Sequence, residues 1–241
     1  MLAGTSFERP QELEFDVASI KSIQTDERIP EGCTGGPGSQ DPIRLTCSQM
    51  SLKRLITTAY GMMSLQVIGP NWLDTPRFDV RAMVPAGTTK EQLSTMWQKL
   101  LSDRFHLAAH HETRETTVFD LMVSKTGPKL TPAGQTSRLL APRPTGTVVR
   151  GHHIYTPRTT MEKFAGFLSS RVDHMVRDAT GLTGEYEIRF VWGDLDAGPD
   201  LNSAPPLPDA LQEQLGLRLE PKKASIDMLV IDRMDRMPTE N

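Results

Sequence analysis

The stretch RFHLAAHHETRE, Arg104 to Glu115, gathers three of the chain's six histidines, His106, His110 and His111, within six positions and follows them with Glu112. Imidazole nitrogens and carboxylates hold zinc and pass protons in hydrolysis, so the first question is whether this spacing can assemble them. Alternation predicts a strand, with Phe105, Leu107, Ala109 and His111 on a core face and His106, Ala108, His110 and Glu112 on a wet one. At about 3.3 Å per residue His106 and His110 lie roughly 13 Å apart, too far for both to reach one zinc ion at about 2 Å. His110 and Glu112, roughly 7 Å apart, reach a shared ion only with a bulge or a third ligand. The expectation is a solvated strand face, with His110, Glu112 and His106 as the metal candidates.

Other chemistry-bearing stretches give less. HHETRE lacks the offsets of HExxH, GPGSQDP is no GxSxG elbow, and GCTGGPGSQ has no Lys followed by Ser or Thr for a phosphate loop. The loop DLDAGPDLN offers Asp194, Asp196 and Asp200 as calcium ligands but not the EF-hand order, so a solvated acidic loop is expected. His152 and His153 are adjacent strand residues pointing to opposite faces, and His174 follows a helix end. Trp97 shares its helix with Leu93, Leu100 and Leu101 and reads as core. Cys33 and Cys47 bracket a Gly- and Pro-rich segment, either as a disulfide or as two buried thiols. No catalytic residue follows from the sequence.

A net charge of -3 with scattered Lys and Arg gives no basic field for nucleic acid. No run of about 18 apolar residues predicts a membrane span, and the opening MLAGTSFERPQELEF lacks an apolar signal core.

The elements around these residues repeat. RLTCSQMSLKRLITTAYG lies over HIYTPRTTMEKFAGFLSS: Ser51 and Thr160 sit as N-caps, and Leu52, Leu55, Ile56 and Ala59 match Met161, Phe164, Ala165 and Leu168. Phe78, Val80 and Ala82 alternate as Tyr186, Ile188 and Phe190 do. A second helix follows in each half, capped by Thr89 in one and stopped by Gly216 in the other. The predicted fold is α+β: two tandem similar units, each a small mixed β-sheet covered by two helices in the order strand, helix, strand, helix, two-strand hairpin. FHLAAHHE with TVFDLMVS and LRLEPKK with IDMLVIDR are the expected hairpins. The units run over 11–130, with an added N-terminal strand at LEFDVASIKS, and 152–241, joined by a linker or long loop at 131–151.

The segments EFDVASIK, GGPGSQDP, SLKRLITTAYG, GPNWLDTPRFDV, EQLSTMWQKLLSDRFHL, GLTGEYE and ALQEQLGLRLEPKKASIDMLVID resemble a large, paralogue-rich family of uncharacterised proteins from soil Acidobacteria, over about Glu14 to Asn241. Members of that family usually begin with a signal peptide, which this chain lacks; the resemblance implies a periplasmic or secreted protein. In such a compartment Cys33 and Cys47 are expected to be oxidised. The second unit is also similar to the short N-terminal domain of secretins and TonB-dependent receptors. That resemblance implies binding of envelope proteins or ligands, without catalytic residues.

The leading functional expectation is a non-catalytic binding module for a cell-envelope protein or small ligand, with no cofactor and no nucleic-acid partner. The alternative is a metal-assisted hydrolase of a small ester or lactone, with a divalent metal and a site in the cleft between the units.

Overall fold

The computed structural model describes residues 13–26, 29–135, 147–150, 152–193 and 204–239. In chain order the elements are β1 (Val17–Ile23), β2 (Gly32–Gly35), β3 (Arg44–Ser51), α1 (Leu52–Tyr60), β4 (Val67–Ile68), β5 (Arg77–Met83), α2 (Lys90–Phe105), β6 (Ala108–Val123), β7 (Thr131–Pro132), β8 (Val148–Arg150), β9 (His153–Thr159), α3 (Met161–Val172), β10 (Val176–Asp178), β11 (Tyr186–Val191), α4 (Leu207–Ala210) and β12 (Leu217–Arg233). The fold class is α+β. Among the described residues no helix is long and apolar enough to cross a membrane.

Two compact units emerge, Met1–Arg114 with Ile226–Asn241, and Glu115–Ser225. This differs from the serial division into 11–130 and 152–241. The end of the chain returns to the first unit, and the second half of β6 already belongs to the second. Within the expected linker at 131–151, β7 and β8 are edge strands of a sheet rather than loop.

Each unit has an antiparallel sheet, in the order β1-β5-β3-β2 in the first and β7-β11-β9-β8 in the second. Strand, helix, short strand, strand, helix then follow in the same order in both. The helices start where the caps predict. The Ser51, Thr89 and Thr160 side chains accept hydrogen bonds from the amides of Arg54, Gln92 and Lys163, satisfying donors that the first turn leaves free. The Gln92 side chain returns the bond to Thr89, completing a capping box. The second unit's last helix continues as a π turn over Leu211–Leu215 and stops at Gly216, whose φ of 63° belongs to the left-handed region. A Cβ there would lie 2.1 Å from the Gly127 carbonyl oxygen, so glycine is required.

In the first unit the apolar stripe of α1, Leu52, Leu55, Ile56 and Ala59, packs with Trp97, Leu101 and Phe105 of α2 on the Leu45, Phe78 and Val80 face of the sheet. In the second, Phe164, Ala165 and Leu168 of α3 meet Ile188, Phe190 and Leu211. Trp97 is core, as its helical spacing predicts. The opposite face of the first sheet has no helix among the described residues.

The hairpins are the main correction. β6 and β12 are uninterrupted strands of 16 and 17 residues that lie side by side. Their contacts run in opposite directions along the chain, from His106 with Asp235 and His110 with Asp232 to Asp120 with Lys222 and Arg218 with Met122, so the pair is antiparallel. The physical reason is local: TRET at the expected turn holds no Gly, Pro, Asn or Asp to reverse the chain, and its threonines favour extended backbone. Pro221 is tolerated because β4 reaches β12 only at Leu229 and Val230, leaving that part of the strand with β6 alone. In the first unit β4 runs parallel to β12, and in the second β10 runs parallel to β6.

Cys33 and Cys47 form a disulfide. The pair are direct register partners on β2 and β3, with Cα atoms 4.0 Å apart, so the bond ties a four-residue edge strand to the sheet. With a sequence separation of 14, closure of the loop in the unfolded chain contributes about 3 kcal/mol. Replacing both cysteines by alanine should lower the denaturation free energy by that amount, read from urea curves with the m-value fitted for each form, since the uncrosslinked unfolded chain exposes more surface.

Candidate functional site

The histidine cluster resolves into three separate His–Asp pairs. α2 runs through Phe105, and His106, at φ 50°, is its C-cap rather than a strand residue, yet Phe105 and Leu107 are buried and His106, Ala108 and His110 exposed, as the alternation predicts. Its Nδ1 lies 2.7 Å from Asp235. On β6 the Nδ1 of His110 lies 2.9 Å from both carboxylate oxygens of Asp232, and that of His111 lies 2.8 Å from Asp227. A carboxylate only accepts, so each Nδ1 donates, and in the neutral ring Nε2 keeps the lone pair. His111, expected in the core, is about half exposed because the core ends at Ala109. It stands beside the ring of Tyr60, at 6.3 Å between centroids. Burial raises the Tyr60 phenol above its ordinary range.

Glu112 is held by Arg114, with two nitrogen–oxygen contacts of 2.9 and 3.0 Å, and the guanidinium keeps its carboxyl below the usual range. The metal candidates His106, His110 and Glu112 are thus each engaged with a different partner. Among the described residues no group of three or more His, Cys, Asp or Glu is placed to hold a metal ion. Asp194, Asp196 and Asp200, the calcium candidates, lie outside the described residues. The aspartate partners Asp227, Asp232 and Asp235 carry no sequence signal as such, since only the pairing of β6 with β12 and the return of the chain beside α2 bring them to the histidines.

A different carboxylate is buried. Asp120, its side chain 6% exposed, is met by Lys222 across the ribbon at 2.8 Å. Arg177, its register partner on the parallel strand β10, approaches at 2.7 Å. The Lys222 hydrogen bond first, and then Arg177, holds the Asp120 carboxyl below the usual aspartate range, against the opposing effect of burial. A buried carboxylate with two cations fixes the register of β10, β6 and β12.

An open surface lies on the face of the first sheet that carries no helix among the described residues. Two neighbouring cross-strand rows stand there, Val17–Met83–Arg44 and Ser19–Arg81–Thr46. They line an open depression of about 490 Å³ with an apolar part at Val17 and Met83. Arg44 and Arg81 are exposed and occupy diagonal positions, about 7–8 Å apart between backbones. Asp41 approaches Arg44 only to 4.0 Å. Two guanidinium groups over an apolar floor, with the hydroxyls of Ser19 and Thr46 beside them, suit a carboxylate attached to an apolar body.

A family model described as a protein of unknown function (DUF3738) matches residues 53–234. No curated protein and no solved structure matches the chain.

Two substitutions separate the surface histidines from the buried carboxylate. His110→Ala removes a half-exposed pair and should change stability by no more than about 0.5 kcal/mol. Asp120→Asn strips a buried charge from two half-exposed cations and should cost about 2 kcal/mol. The folded-state pKa of Asp120 is depressed, so its contribution is complete above the unfolded aspartate range of about 4 and is lost as pH falls through the folded value. The gap between wild type and Asp120→Asn should stay level from about pH 7 to 5 and narrow below about pH 4, in denaturation curves taken across that range.

Proposed function

The chain belongs to the DUF3738 family of proteins of unknown function, and from this we propose that it is a non-catalytic binding module of an oxidising compartment, periplasmic or secreted, that recognises an anionic partner on the open face of its first sheet. One observation carries the reading: Arg44 and Arg81 stand on adjacent rows of a sheet face with an apolar floor and no helix over it among the described residues. Antiparallel sheets normally wet one face with polar residues, but here Val17, 64% exposed, and Met83 sit beside the two cations. The Cys33–Cys47 disulfide supports the compartment, since such bonds persist where thiols are oxidised.

A metal-assisted hydrolase of a small ester or lactone is the second reading, and the His–Asp pairs favour it. A carboxylate on Nδ1 orients an imidazole and leaves Nε2 to take a proton or a metal. The pairs are about half exposed, where water screens the charges that a hydrolytic site must concentrate, which places this reading behind the first.

The test uses simple probes on the oxidised, isotope-labelled protein. Octanoate should shift the amide signals of Val17, Ser19, Thr46, Arg81 and Met83, the cationic octyltrimethylammonium ion should not, and Arg44→Glu with Arg81→Glu should abolish the octanoate shifts. Equal response to both probes, or octanoate shifts untouched by the double reversal, would sink the reading.

A further inference from the structure

We infer that the occupant of this face is an extended acidic segment of a partner protein, which pairs with the outer edge of β1 and adds to the first sheet as a further strand. The inference rests on the binding reading above and names the partner's chemistry at the same site. Its ground is the treatment of the sheet edges. A free edge presents unpaired backbone amides and carbonyls, and proteins normally shorten, bulge or charge such strands. Among the described residues the other edge strands are short: β2 has four residues, β8 and β10 three, β4 and β7 two. β1 has seven. Its register with β5, from Val17 opposite Met83 to Ile23 opposite Arg77, is unbroken, whereas β3 on β5 and β9 on β11 both slip. Among the described strands that end a sheet, β1 is therefore both the longest and regularly paired.

An antiparallel strand directs alternate amides and carbonyls to either side, so β1 offers β5 one half of its hydrogen-bonding groups and solvent the other. The side chains specify what fits. Val17, Ser19 and Lys21 share the helix-free face, while Ile20 turns to the core. A strand added beside β1 places every second side chain on the helix-free face. There it meets Lys21, whose register partner on β5 is Asp79, and the long side chain of Arg81 reaching over the small Ser19, with Arg44 one strand further on adding to the positive field. Acidic side chains answer that face. On the other side the strand continues the Ile20 surface, which suits β-branched apolar residues. Main-chain pairing would supply affinity, and the charge alternation would supply selectivity and rate.

The experiment titrates the oxidised full chain with three heptapeptides: Ac-TEVEVET-amide, its lysine counterpart Ac-TKVKVKT-amide, and the acidic peptide N-methylated at alternate residues. The first should bind at least about tenfold more tightly than the second, slow amide hydrogen exchange within Val17–Ile23, and weaken about tenfold in Arg44→Glu with Arg81→Glu. The N-methylated peptide keeps charge and side chains but loses one edge's donors, and its binding should be lost. If it binds as well as its parent, or if protection falls outside β1, the face is occupied without strand addition and this inference fails while the binding reading stands. If the acidic peptide does not bind although octanoate does, the inference again fails alone. If neither binds, both fail.

Discussion

The antiparallel pairing of β6 with β12 is the constraint on which the rest of the structure depends. It joins residues from 96 positions apart, at Met122 and Arg218, to 122, at His110 and Asp232, and each strand gives one half to the first unit and the other half to the second. Strand pairing over such separations is entropically expensive to close, so it must be specified by more than backbone hydrogen bonds. Two devices specify it. In the second unit Asp120, with Lys222 across the ribbon and Arg177 on β10, allows one register, because a slip of one residue would bury a carboxylate without cations. In the first unit the His–Asp pairs mark the same alignment from the solvent side, where each contributes little energy.

This explains why a histidine-rich stretch need not be a reaction centre. Three imidazoles in six positions look like a ligand set while the strand is considered alone. Beside β12 each ring has its own carboxylate, and Glu112 has Arg114. An exposed cationic surface lies instead on the first sheet, where Arg44 and Arg81 stand beside Val17 and Met83 and the seven-residue strand β1 borders them. The disulfide fastens β2, the edge of that sheet opposite β1.

Local rules made much of the fold legible. Ser51, Thr89 and Thr160 announce helix starts because a short side-chain oxygen satisfies an amide that the first turn cannot. The period of Leu52, Leu55, Ile56 and Ala59, and the alternation of Phe78, Val80 and Ala82, assign helix and strand because burial on one side imposes those spacings. The same rules erred at Phe105–His106, where the helix ran one residue past Arg104 and His106 became its left-handed C-cap, although Phe105 and Leu107 are buried as the alternation predicts. They erred again at the two hairpins, where alternation runs unchanged through a straight strand and through a reversal, and only turn residues distinguish the two.

The sequence by itself therefore determined the α+β class, the caps, the helix faces, the core role of Trp97 and the pairing candidates Cys33 and Cys47, since each depends on residues within a turn or a strand of one another. Tertiary structure alone decided which long strands pair, that Asp227, Asp232 and Asp235 meet the three histidines, that Asp120 is a buried charge, and that β1 ends its sheet among the described residues. Those outcomes depend on contacts between segments far apart in the chain. The energy of such a contact belongs to the pair, so neither residue announces it in its own neighbourhood.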